Sequence, residues 1–382
     1  MCSFFTNIIK KICFKINKRM NPETNGINLE TNKRKIEIIL IKKPNYIVDV
    51  LKQNGFEIVN ILQKSIYGDI IECIQISDKN KVIIKIFNKK KIKQNATDIN
   101  FQENGLVEIK MTISLSQKKI PYFPLFICKF EDDEYFYMVI KFYNKRSLFD
   151  YIQTNKYIFI QPEIIKKIAK DILSAIHYLH TNGLSHRDIS PENIFISDEP
   201  DIHAVLGDLA QVTKQDIASN KNCGKNCYIS PEQWGKKYNI QKSDMFAFGI
   251  ILFILLTRCP PWKRAIDNDL LAFKKDNAYC YFLTKGGGDG NMNGINNLLI
   301  SYFINMLKYI GVSIKEQRIL ELKGLFKKYE DMMDLEQELL QEEISKYISP
   351  DAQNLLTMLL CSEDKRLNSH EALEHPFFII RL

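Results

Sequence analysis

The sequence predicts an α+β fold in two parts, a small strand-rich part followed by a larger, mostly helical one. Three observations carry this. Ile- and Val-rich runs separated by turn residues crowd into residues 56–140. Apolar residues at helical spacing dominate from Leu148 onward. With 382 residues, 45% of them hydrophobic, the chain can bury two sizeable cores.

The first segment, Met1 to about Arg34, reads as separate from the rest. Up to Lys35 it holds eight basic residues against Glu23 and Glu30, which accounts for six of the chain's net eight positive charges. If helical, it gathers Phe5, Ile8, Ile9, Ile12 and Ile16 on one face, with Lys10, Lys11 and Lys18 opposite. That pattern fits peripheral membrane contact through residues 1–20, with Cys2 and Cys13 as acylation candidates. A basic tail without structure, or a helix packed on the body, fits as well. Position 2 is not Gly, which excludes N-myristoylation.

Strand signals begin at Phe56. The runs Phe56 to Leu62, Ile70 to Ile76 and Lys81 to Phe87 are rich in β-branched residues, with Asp78-Lys79-Asn80 as a turn between the last two. A charged helix is expected over roughly Asn100 to Gln117, then strands at Phe126–Phe130 and Tyr135–Ile140. Beyond Leu148, the stretch Pro162 to His180 repeats Ile165, Ile168, Ala169, Ile172, Ala175, Ile176 and Leu179 at helical spacing. Asp244 to Leu256 is too short to span a membrane easily and reads as a buried core helix. The run GGGDGNMNG at 286–294 is a break, and the charged helical stretch from Asn296 to Lys346 reads as an insertion, about 284–348.

The nine cysteines are scattered from Cys2 to Cys361, which suits a reduced, intracellular and cytoplasmic protein better than a disulfide framework. Cys223 and Cys227 have no second ligand pair, so zinc is not expected. Outside the first segment the charge is nearly balanced, so a nucleic-acid partner is not expected either.

The chemistry concentrates in His186-Arg187-Asp188-Ile189-Ser190-Pro191-Glu192-Asn193. Phosphoryl transfer needs a carboxylate to orient the attacking hydroxyl and an amide oxygen to hold a metal, and here Asp188 and Asn193 stand five positions apart. The stretch closely resembles the catalytic loop of eukaryotic protein kinases. Asp208-Leu209-Ala210 stands where that family has Asp-Phe-Gly, and Ser230-Pro231-Glu232 where it has Ala-Pro-Glu. The resemblance covers about residues 50 to 382, with the insertion set aside. It implies a two-lobed protein-kinase-like fold: a small lobe over 50–142, five antiparallel strands plus one helix, and a mostly helical large lobe over 143–382.

The resemblance also implies roles. Asp188 is the catalytic base. Asn193 and Asp208 hold the metal, expected to be Mg²⁺ because the donors are hard oxygens and the co-substrate, ATP, carries phosphates. Lys85, in Val82-Ile83-Ile84-Lys85, neutralises the ATP phosphates and pairs with a helix carboxylate, for which Glu108 is the choice and Glu103 the alternative. Leu62, Gly68, Ile70, Ile140 and Phe142 complete the expected ATP-binding set. Glu232 is expected to pair with a buried Arg366, and Asp244 to anchor the catalytic loop.

Three departures from the family bear on activity. The phosphate-covering loop keeps only Gly68 of three glycines, with Gln63 and Ser65 in the other places. Ala210 replaces a glycine, and its Cβ restricts backbone flips there. Ser190 stands where serine/threonine kinases usually carry Lys, while Lys225 stands where they carry Thr, three residues before Tyr228. Those two positions touch in the family fold, so Lys225 either returns the missing cation from the opposite side or points to solvent. The expected function is transfer of the ATP γ-phosphate to Ser or Thr of protein substrates. The alternative is a pseudokinase acting as a nucleotide-binding or allosteric scaffold.

Overall fold

In the computed structural model the chain is described over residues 45–97, 103–154, 160–219, 223–235, 237–257, 260 and 349–379. The expected basic tail at 1–34 and the expected insertion at 284–348 lie outside these residues. Two units divide the described chain, one built from residues up to 91 with 127–142, the other from 92–126, 143–154 and 161 onward.

The first unit is built on an antiparallel sheet. Its strands are β1 (Phe56–Lys64), β2 (Asp69–Gln75), β3 (Lys81–Asn88), β4 (Phe126–Glu131) and β5 (Tyr135–Lys141), in the order β1-β2-β3-β5-β4. Alternation decides the faces. Ile71, Cys73, Val82, Ile84, Ile86, Tyr137 and Val139 point to one side and form the core. The register aligns Ile70 with Lys85 and Lys85 with Met138, and aligns Ile83 with Ile140. These residues therefore share the opposite face. At the Asp78 turn Lys79 takes φ +63°, and Asp78 Oδ1 accepts the Asn80 N–H at 3.0 Å.

Two helices here were not expected from the sequence. Helix α1 (Asn45–Gln53) inserts Ile47 and Leu51 into the sheet's core, so the folded body starts before β1. Helix α2 (Lys89–Thr97) follows β3 directly. Helix α3 (Gly105–Gln117) starts later than the expected Asn100, because Asn104 caps it: its Oδ1 accepts from Leu106 N at 3.0 Å and Val107 N at 3.2 Å.

In the second unit α3 packs on the turn at Leu209–Gln211. Helices α4 (Leu148–Thr154) and α5 (Pro162–Thr181) follow. Proline opens α5, and the stripe Ile165, Ile168, Ala169, Ile172, Ala175, Ile176 and Leu179 is buried as its periodicity predicts. A short hairpin pairs β6 (Ile194–Ser197) with β7 (His203–Leu206), and β8 (Ile217–Ser219) pairs antiparallel with the more distant β9 (Lys237–Asn239). Helix α6 (Ile240–Thr257) begins four residues before the expected Asp244. It is buried from Met245 to Leu255, and α7 (Pro350–Leu359) lies against it. Gly249 makes that approach possible: a Cβ there would stand 2.8 Å from Leu360 and 3.0 Å from Leu359. Among the described residues no helix is long and apolar enough to cross a membrane.

Candidate active site

The loop after α5 is held from behind by one buried carboxylate. Asp244 Oδ2 accepts the His186 N–H and its Oδ1 the Arg187 N–H, both at 2.8 Å, while His180 Nε2 lies 3.1 Å from Oδ2. This is the anchoring expected from the sequence. It leaves Arg187 in the left-handed region at φ +73°, a conformation that a side chain adopts only under such constraint. His186 is fully buried; its Nδ1 accepts from Asp188 N at 3.3 Å, so Nε2 carries the proton that it donates to Gly207 O at 3.0 Å.

The clamp leaves Asp188 and Asn193 facing each other. Asn193 Nδ2 donates to Asp188 Oδ2 at 2.7 Å and to the Asp188 carbonyl at 2.8 Å. With its amide nitrogen engaged this way, Asn193 has its oxygen available for a cation. Asp188 is only 9% exposed, and its Oδ1 has no hydrogen-bond partner among the described residues. Burial pushes its carboxyl above the usual carboxylate range; the charge of Lys225 pulls against this, and the charge of Asp208 adds to it. Asp208 takes a left-handed backbone (φ +57°, ψ +71°) at the start of the Leu209–Gln211 turn.

That turn is docked. Ala210 is 3% exposed, and its carbonyl accepts the Asn104 N–H at 2.8 Å. Gln211 Nε2 lies 3.5 Å from Glu103 Oε1. The extra Cβ of Ala210 thus sits in a helical turn, where alanine is favoured over glycine. Glu108 is buried in the first turn of α3, at 5% exposure. Glu103, the other candidate, is half-buried. Burial and the negative charges of Asp208, Asp188 and Glu108 push it up to about 7.

On the sheet of the first unit, Ile70, Lys85 and Ile140 share the face opposite the core, and Lys85 is 8% exposed. Met138, directly across from Lys85, belongs to the same face and was not among the expected residues; its two-residue spacing from Ile140 was the available signal. Leu62 lies at a register shift in β1 and is half-buried. Phe142 packs under the Lys81 ammonium at 5.2 Å. Gly68 closes the β1–β2 turn, where Ser65 N donates to Gly68 O at 2.6 Å and Gly68 N to Ser65 Oγ at 3.3 Å. A Cβ at Gly68 would stand 2.3 Å from the Ile86 carbonyl, so only glycine fits. Among the described residues neither Gln63 nor Ser65 has positive φ, so neither position needs a glycine for its backbone.

Residues between Asp208 and Glu232, the activation segment, also contact the loop. Lys225 Nζ donates to Ser190 Oγ at 2.6 Å, so the two exchanged positions do touch. The Arg187 guanidinium donates to the thiol of Cys223, a contact no local pattern signalled. Thr213 pairs with Ser185 through two backbone hydrogen bonds, at 2.9 and 3.1 Å. Arg366, 1% exposed, pairs with Glu232 as expected and also donates to the carbonyls of Lys242 and Cys361, each at 2.8 Å.

Comparison with known proteins agrees with this geometry. Calcium-dependent protein kinase 4 of Plasmodium falciparum is 30% identical over 240 residues, 62% of this chain and 43% of that protein. The 3-phosphoinositide-dependent protein kinase 1 of Rattus norvegicus is 27% identical, over 59% of this chain and 39% of its own length. Serine/threonine-protein kinase ksp1 of Schizosaccharomyces pombe is 26% identical, over 58% and 47%. The matched region spans less than half the length of each of these relatives. A family model described as the protein kinase domain matches residues 56–378. That match takes in the sheet, the catalytic loop and the Glu232–Arg366 pair together, and by its extent the chain belongs to the eukaryotic protein kinase superfamily.

Proposed function

We propose that this chain is an ATP-dependent protein kinase that phosphorylates Ser or Thr of protein substrates. One observation carries the reading: Asn193 holds one oxygen of the buried Asp188 carboxylate and leaves the other, also buried, without a hydrogen-bond partner among the described residues. An acceptor hydroxyl approaching that oxygen would donate its hydrogen bond there and be held in line for attack. As the oxygen attacks phosphorus, its proton passes to Asp188. Asp208 and the Asn193 amide oxygen, both hard donors, suit Mg²⁺, which when bound neutralises charge on the phosphates. Lys85, on the sheet face with Ile70 and Ile140, is assigned to the ATP phosphates, and Glu108 to Lys85. Pro191-Glu192 after the catalytic Asp, and relatives named as serine/threonine kinases, support hydroxyl-amino-acid rather than tyrosine specificity. The comparisons do not favour the pseudokinase alternative.

The test is radiolabelled ATP with the purified chain and its Asp188→Asn and Asp208→Asn variants. Asp208→Asn removes a charge from the place where electrostatic stabilisation is the main catalytic term, so transfer should vanish while the fold persists. Undiminished transfer by either variant would sink the reading.

A further inference from the structure

Lys225 is a placed charge. Its ammonium donates to Ser190 Oγ at 2.6 Å and to Glu192 Oε2 at 3.2 Å. Ser190 is fully buried two residues after Asp188, whereas the Lys225 side chain keeps 44% of its exposure. The ammonium is therefore held against the catalytic loop although the side chain as a whole is partly exposed.

Backbone geometry explains the approach. Gly224, just before Lys225, has φ +87°; a Cβ there would stand 3.0 Å from the Arg187 carbonyl and 3.5 Å from Asp188 Oδ1. Only glycine lets the chain pass so close to the loop with that φ. Tyr228 N donates to Lys225 O at 2.8 Å and closes the turn that follows. The loop's own cation, Arg187, is directed to the Cys223 thiol instead. The Lys225 charge is felt at Asp188, where it offsets part of the effect of burial.

We propose that Lys225 is a catalytic residue whose ammonium meets the phosphoryl group in transit, so that the activation segment rather than the catalytic loop supplies this cation. The proposal rests on the kinase reading above. In the step it serves, the acceptor oxygen bonds to the γ-phosphorus, the bond from that phosphorus to the β-phosphate oxygen breaks, ADP leaves, and the hydroxyl proton goes to Asp188. Charge on the transferring group is then stabilised by Lys225, which stands one side chain away on Ser190.

The experiment uses the full chain with MgATP, dephosphorylated casein as acceptor, and autophosphorylation as a second readout. Lys225→Met keeps the stem and removes the charge. It should lower turnover about ten- to a hundred-fold with the KM for ATP within about two-fold, as expected for an interaction made chiefly in the transition state. Lys225→Arg should retain more turnover than Lys225→Met. The double variant Ser190→Lys/Lys225→Thr, which returns the cation to the loop, should recover most of what Lys225→Thr loses. Calorimetry gives a readout besides turnover: aluminium fluoride should tighten MgADP binding by the parent, and Lys225→Met should lose about ten-fold or more of that tightening with MgADP affinity itself unchanged. Turnover of Lys225→Met within two-fold of the parent overturns the proposal, as does a double variant no better than Lys225→Thr. A parent no more active than Asp188→Asn overturns the kinase reading and this proposal with it.

Discussion

Asn193 donates from one amide nitrogen to both the Asp188 carboxylate, at 2.7 Å, and the Asp188 carbonyl, at 2.8 Å. One side chain thus fixes the Asp188 carboxylate and its backbone together. Asn193→Asp would set a second carboxylate against the first and remove both donors. A hydrogen bond to a charged group is worth about 1.5–3 kcal/mol and one to a neutral carbonyl about 0.5–1.5 kcal/mol, so turnover should fall by about thirty-fold or more. Steady-state kinetics on Asn193→Asp, with its melting temperature, would check this; activity near that of the parent would show that the contact does not position Asp188.

The β1–β2 turn yields opposite expectations at neighbouring positions. Gly68→Ala forces a Cβ onto the Ile86 carbonyl and should cost about 1–3 kcal/mol or more, visible as a lower melting temperature. Gln63→Gly/Ser65→Gly should instead tighten ATP binding a few-fold, because the Gly68 N–H that Ser65 Oγ accepts becomes available to phosphate. Calorimetry showing weaker or unchanged ATP affinity would mean the native side chains already serve the phosphates.

Arg366 should be the most costly charge to remove. It is fully buried between Glu232 and two carbonyls, with its guanidinium 5.0 Å from the Phe246 ring. Arg366→Met leaves Glu232, 14% exposed, without that partner, and should destabilise the second unit by about 3–5 kcal/mol. Urea unfolding measures it, and a loss under about 1 kcal/mol would count against the pair as a structural support.

Glu103 should give stability a pH dependence. Its carboxyl lies at about 7 in the folded protein against an ordinary 4.5. Between those values the folded chain holds a proton that the unfolded chain releases, so this group's contribution to stability falls as pH rises through the window. Relative to the parent in the absence of metal, Glu103→Gln should therefore unfold at higher urea at pH 7.5 than at pH 5. Parallel behaviour at both values would remove Glu103 as the source.

Activity should not require a phosphate on the activation segment. Arg187, the residue to which such a phosphate would bind, is already held by Cys223, and Thr213 Oγ1 accepts from Gln215 N at 3.2 Å while its backbone pairs with Ser185. Phosphatase treatment should leave turnover within two-fold, and mass spectrometry of active protein should find Thr213 and Ser219 unmodified. A ten-fold loss after phosphatase treatment would make phosphorylation of this segment a switch.

Much of this protein was legible residue by residue. The five strands fall where the Ile- and Val-rich runs stand, and the buried stripe of α5 is the one its periodicity names. Helix α1 escaped notice because it is only nine residues long, too short to be stable alone, and is held by inserting Ile47 and Leu51 into the sheet. The start of α3 was misplaced because the cap at Asn104, not the polar run before it, begins the helix.

Taken by itself, the sequence determined the pair: Asp188 and Asn193 lie five residues apart on one loop, a spacing the local backbone turns directly into a 2.7 Å contact. Only the tertiary structure decided which distant groups reach that loop. Lys225 touches Ser190 across 35 residues, Arg187 meets Cys223 across 36, and the Asn104 N–H donates to the Ala210 carbonyl more than a hundred residues away. The physical reason is one of range. Local sterics and hydrogen bonding set what neighbours in sequence do, whereas a contact between remote segments exists only once the burial of α5, α6 and the α3 terminus has closed the chain between them.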